Sequence, residues 1–142
     1  MNTTWFFVLL TTISFGFFNI FIRAAGPKIG GILGPLVVEG FAAAVLLVFF
    51  IWLKLKGSVE SVTSLGVVYS MAAGFCAAAG SIGFFIVFSR GGQLSSAGSF
   101  VLIGSTLLTI LGGFILFKEP INAYRVVGIV LGLISLYLLR VE

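Results

Sequence analysis

Five stretches of this chain run for about 20 residues almost without charge, and they constrain its fold more than any other feature. They cover residues 4–22, 33–53, 65–88, 95–117 and 122–139. Arg23, Lys54, Arg90, Lys118 and Arg140 follow them in turn. A hydrocarbon core of roughly 30 Å is crossed by about 20 apolar residues in a helix. In lipid no water satisfies a backbone N–H or C=O, so each segment must bond to itself. The pattern predicts an all-α polytopic membrane helix bundle with five transmembrane helices, forming a single transmembrane domain over residues 1–142.

Charge supports this class. Only 8% of the residues are charged, against about 25% in a soluble domain. So few charges can dress helix ends but not a surface facing water. The fifth stretch is the weakest, because Arg125 and Arg140 leave 14 uncharged residues between them, about 21 Å of helix. A snorkelling arginine and a start at Asn122 restore a spanning length. The first stretch has no basic residue ahead of it and carries Asn19 late in its apolar run. It is therefore expected to be a retained span rather than a cleaved signal peptide.

Missing residue types exclude whole chemistries. There is no His and no Asp, and the acidic residues are Glu39, Glu60, Glu119 and Glu142. Ser-His-Asp triads, His-ligated zinc and calcium loops built on Asp are thereby removed. No catalytic residue, metal site or cofactor is expected, and the chain does not read as an enzyme. The lone Cys76 lies in the apolar run Gly74-Phe75-Cys76-Ala77 and reads as a small packing residue. The net charge of +4 is scattered singly at helix ends, so it marks topology rather than nucleic-acid binding.

The same charges bear on orientation. Lys54, Lys56, Lys118 and Arg125 fall on the amino-terminal side of five spans, and Arg23, Lys28, Arg90 and Arg140 on the other. Lys and Arg on the cytoplasmic side normally fix orientation, and here the two sides balance. Insertion in both orientations is one outcome, and a single orientation set by the order of insertion is the other. Trp5, Trp52, Tyr69 and Tyr124 group on the amino-terminal side and Tyr137 on the opposite one, in keeping with interfacial anchoring. An odd number of spans puts the two ends on opposite sides. An antiparallel pair of such units would rebuild the inverted repeat of many transporters.

Leu116-Phe117-Lys118-Glu119-Pro120-Ile121, followed by Arg125-Val126-Val127-Gly128-Ile129-Val130-Leu131, resembles the close of an EamA-like repeat of the drug/metabolite transporter superfamily. Ser14-Phe15-Gly16-Phe17-Phe18-Asn19 looks like the first helix of such repeats. Phe85 to Gly92 looks like the end of the third, and Leu94 to Ser99 like the start of the fourth. Lys118 stands where that family commonly has glycine, and Glu39 near a position where it often has arginine. The resemblance covers the chain once, as in the single-repeat, five-helix branch. It implies one half of a ten-helix inverted-repeat transporter. It further implies a multi-pass cell-membrane protein that moves a small metabolite or drug-like solute by alternating access, as a homodimer. The alternative is a membrane subunit or scaffold that pairs with another membrane protein without transporting. A channel is a third reading.

Candidate site residues follow from polar groups inside apolar spans. Glu39 is the only carboxylate within one. An acidic residue at mid-helix costs about 2.5–3.5 kcal/mol on insertion scales, so such groups are functional candidates. Glu39 could exchange a proton with a cationic substrate, or pair with Arg23 or Lys28 near the start of its helix. Ser95, Ser99, Thr106 and Thr109, with Ser105 beside them, fall on one face of the fourth span. They either line a hydrated route or pack and bond their own backbone. Asn19 reads either as an interhelical hydrogen bond or as a contact along such a route. Gly128 and Gly132 permit close helix contact, in a dimer or within the bundle. Gly74, Gly80, Gly112 and Gly113 read as packing residues. Glu119-Pro120 reads as the entrance of the fifth helix, with Pro starting it and Glu complementing its dipole, and Arg90 as an interfacial charge.

Overall fold

The computed structural model describes residues 3–57, 61–120 and 122–139. Glu60, Ile121, Arg140 and Glu142 lie outside the described residues. Within them the chain is all-α, with α1 (Thr3–Ile29), α2 (Leu33–Leu55), α3 (Ser64–Ser89), α4 (Ser99–Phe117) and α5 (Ala123–Leu139). A π-helical turn, Leu94–Gly98, opens α4; the Gln93 carbonyl accepts from both Ala97 N and Gly98 N, at 3.0 and 3.3 Å. Four helices are long and apolar enough to cross a membrane: α1, α2, α3, and α4 with its π-helical opening. α5 has 17 residues, about 26 Å at 1.5 Å per residue. It is shorter than a bilayer core.

Four of the five predicted stretches, counting α4 with its π-helical opening, hold to within two residues at both ends, and α1 does not. It runs through Arg23 to Ile29. The charge at Arg23 ends the apolar run without ending the helix, because the side chain has a place to go. Its guanidinium lies over the Phe88 ring, 5.8 Å from the centroid, a cation–π distance. Pro27 enters only in the last turn. Gly30, at φ +81°, then takes the left-handed conformation that commonly stops a helix. α3 is capped by Thr63, whose hydroxyl accepts from Gly66 N at 3.2 Å.

The Glu119-Pro120 reading needs correction. Pro120 precedes α5 rather than starting it. The cap is Asn122, whose Oδ1 accepts from Arg125 N at 2.9 Å and whose carbonyl accepts from Val126 N at 3.2 Å. Glu119 instead turns back on α4, its carboxylate beside Gly113, and pairs with Arg125 at 3.4 Å. Lys118 makes that reversal at φ +53°, a conformation that costs a side-chain-bearing residue about 1–2 kcal/mol. Lys118→Gly is therefore expected to stabilise the protein by about 1 kcal/mol. Unfolding in detergent micelles will read this as a higher midpoint, and an unchanged or lower midpoint would show that the turn carries no strain.

The chain forms two compact units, Met1–Gly91 and Gly92–Glu142. In the first, α1, α2 and α3 converge where α1 ends, α2 begins and α3 ends. Ile22, Phe85 and Phe88 are the buried hydrophobic residues there. Glycine permits the approach. A Cβ at Gly26 would stand 2.9 Å from Phe88 Cβ, and one at Gly31 2.8 Å from Ile86 Cγ1. Helices in lipid gain little from the hydrophobic effect, so close backbone approach is what holds them. In the second unit α5 packs on α4, and a Cβ at Gly132 would meet Leu107 Cδ2 at 3.2 Å.

Elsewhere the helices turn apolar side chains outward. Phe21, Phe41, Leu46, Val48, Phe75 and Leu108 are all well exposed, and none of the most apolar stretch of α2 is buried. Continuous apolar exposure on this scale is untenable in water and natural against lipid. It is consistent with a membrane protein.

Candidate functional site

Each helix of the first unit contributes a small set of residues to one open cleft of about 510 Å³. Ser14, Phe15 and Phe18 come from α1, and Val38, Glu39 and Ala42 from α2. α3 supplies Ala77, Gly80, Ser81 and Phe84, a spacing of three, four and seven residues that puts all four on one helical face. Alanine and glycine create the space, and the phenylalanines wall it. A Cβ at Gly80 would meet nothing within 4 Å. Gly80 thus opens the cleft instead of packing helices. Gly74 likewise faces open space.

Glu39 is half-buried and lies six residues past Leu33, the first residue of α2, about 9 Å along the axis. It does not pair with Arg23 or Lys28. Ser81 Oγ donates to Glu39 Oε1 at 2.6 Å, within the ordinary range for an O–H···O bond. Arg23 is held over Phe88. The ion pair found among the described residues is Arg125 with Glu119. Geometry explains the choice of partner. The α3 face that carries Ser81 meets the α2 face that carries Glu39, whereas the basic side chains sit towards the helix ends.

Asn19 is buried at 5% exposure, but its Nδ2 donates to the Phe15 carbonyl at 2.7 Å. The bond goes to its own helix, one turn back, and Asn19 is not part of the cleft wall.

The α4 hydroxyls do not share one cavity. Thr106 Oγ1 donates to the Leu102 carbonyl and Thr109 Oγ1 to that of Ser105, each at 2.9 Å, and Ser105 Oγ also bonds Leu102. Thr109 borders a cleft of about 590 Å³ that also touches Phe117, Glu119 and Arg125. Thr106 borders a separate groove of about 200 Å³ with Gly128 and Gly132. Ser99 is half-buried and Ser95 is exposed in the π-helical turn. Gly132 meets α4, while Gly128 has open space where a side chain would go.

The sequence reading missed Ser81 and the aromatic wall of Phe15, Phe18 and Phe84. A signal for Ser81 was present, since it is the one hydroxyl residue of α3 between Ser70 and Ser89. Its importance rests on facing Glu39, which depends on how two helices meet. Among the described residues no three of His, Cys, Asp and Glu cluster as metal ligands would.

Chemically, the cleft offers one carboxylate with a fixed hydroxyl donor in an apolar, aromatic wall. That arrangement offers one polar anchor in an otherwise apolar setting. In comparison with known proteins, the chain matches no family model, no curated protein and no solved structure.

Proposed function

We propose that the protein is a secondary transporter of a small metabolite or drug-like solute, embedded in the cell membrane by five spans and working by alternating access as a homodimer. The observation that carries this reading is the Glu39 carboxylate, bonded to Ser81 on the wall of an open three-helix cleft within apolar spans. Keeping a carboxylate at such a depth is costly, and a cleft beside it gives the cost a purpose. The EamA-like pattern points the same way, and so does the balance of Lys and Arg across the membrane.

α5 serves as the fifth span in this proposal. Its shortfall in length is met by Arg125 reaching to the interface and by local thinning of the bilayer. Arg125 is already drawn towards the turn, donating to the Pro120 carbonyl at 2.8 Å.

Two measurements test the proposal. In a Cys76→Ala background, which removes the exposed native thiol, a Ser61→Cys reporter between α2 and α3 is expected to label from both sides of the membrane. Labelling from one side only would rule out the antiparallel homodimer. In parallel, purified protein in vesicles loaded with a pH-sensitive dye is expected to move protons when a panel of small solutes is added outside. A stable complex with a different membrane protein and no solute-dependent flux would replace the transporter with the subunit reading.

A further inference from the structure

We infer that Ser81 is the positioning residue of the cleft: its hydroxyl fixes the Glu39 carboxylate by one oxygen and decides how freely the carboxylate meets what enters the cleft. The inference rests on the reading of Glu39 as the working group. Among the described residues the Ser81–Glu39 bond is the one side-chain hydrogen bond that joins two helices. Ser81 is buried at 8% exposure, so its hydroxyl is shielded from competing water. Glu39 Oε1 is occupied by it, and Oε2 has no protein partner among the described residues. Holding one oxygen limits the rotation of the carboxylate and leaves the other for a proton or a solute.

Among the described residues the cleft lining holds no other group that could do this. From α1 the cleft receives Ser14, whose hydroxyl is committed to the Leu10 carbonyl at 2.9 Å. From α3 it receives Ser81 alone among polar side chains, and among the described residues no second titratable or charged group lines it. Removing the Ser81 hydroxyl therefore frees both Glu39 oxygens to turn into the cleft.

A hydrophobic carbodiimide reads that freedom through its rate of reaction with the carboxyl. The acid adds across one C=N bond of dicyclohexylcarbodiimide, its proton going to nitrogen and its oxygen to carbon, and the adduct rearranges to a stable acylurea. Peptide mapping by mass spectrometry locates the adduct at Glu39, with Glu39→Gln as the unlabelled control. Ser81→Ala is expected to label several-fold faster than the unaltered protein. Ser81→Thr, which keeps the hydroxyl, is expected to label at the original rate. Ser81→Cys, close in volume to serine but a weak donor, is expected to fall between them. It supplies the comparison with Ser81→Thr should the alanine variant fail to fold. Equal rates across the series would overturn the inference, as would a slowed Ser81→Ala. Labelling needs no transport, so absent solute flux would sink the transporter reading while leaving the role of Ser81 to be decided by these rates.

Discussion

Glu39→Gln is expected to reduce proton-driven uptake to the level of empty vesicles while leaving the protein folded. Glutamine matches glutamate in shape, and its amide oxygen can accept the Ser81 hydroxyl that Oε1 accepts now. The packing of α2 on α3 and the volume of the cleft should therefore survive. Only the exchangeable proton is lost. With no other titratable side chain among the described residues of the cleft wall, no neighbour there can replace it. The check is uptake into proteoliposomes across a range of imposed pH gradients, with helix content measured on the same preparation. Transport that is unaltered at every pH would exclude coupling through Glu39. A loss of helix content would instead assign Glu39 to structure.

The contrast between what was and was not legible in the sequence has a physical basis. Helices in lipid must satisfy their own backbones, so the starts and ends of α2, α3 and α4 could be read from hydropathy and charge. Arg23 misled because a single charge ends an apolar run, while a helix ends only where the backbone is released. That happens at Gly30, in the left-handed conformation. Pro120 misled for a related reason, since Asn122 supplies the side-chain oxygen that α5 requires. Glu39 stood out from its chemical isolation alone. Its partner did not, because identifying Ser81 requires knowing which face of α3 meets α2. The α4 hydroxyls show the converse. Their spacing suggested one shared face, yet each of Ser105, Thr106 and Thr109 satisfies itself one turn back. A stripe is a property of a helix, whereas a site is a property of the helices around it.

The glycines carry the second large effect, because sequence cannot separate the packed from the open ones. Gly34→Ala is expected to destabilise the protein by about 3 kcal/mol, the upper end for overpacking a filled core. The added Cβ would overlap the Phe85 ring at Cε1 and Cδ1, and Phe85 is 0% exposed, so the ring has no free space to enter. Gly40→Ala in the same helix meets nothing within 4 Å. There the better helix propensity of alanine, about 1 kcal/mol, should act unopposed. The two substitutions are chemically identical and should shift unfolding midpoints in detergent in opposite directions. A double variant, Gly34→Ala with Phe85→Ala, should lose less stability than the sum of its singles, since residues in contact do not add. If Gly34→Ala instead matched Gly40→Ala, α2 and α3 would not approach as described. Phe85 lies four residues past Ser81 on α3, and Gly34 five before Glu39 on α2. Any shift that relieves the clash at Gly34 therefore pulls on the Ser81–Glu39 bond, so Gly34→Ala should also quicken carbodiimide labelling at Glu39. In this unit the contact that holds the helices together also sets the geometry of the carboxylate.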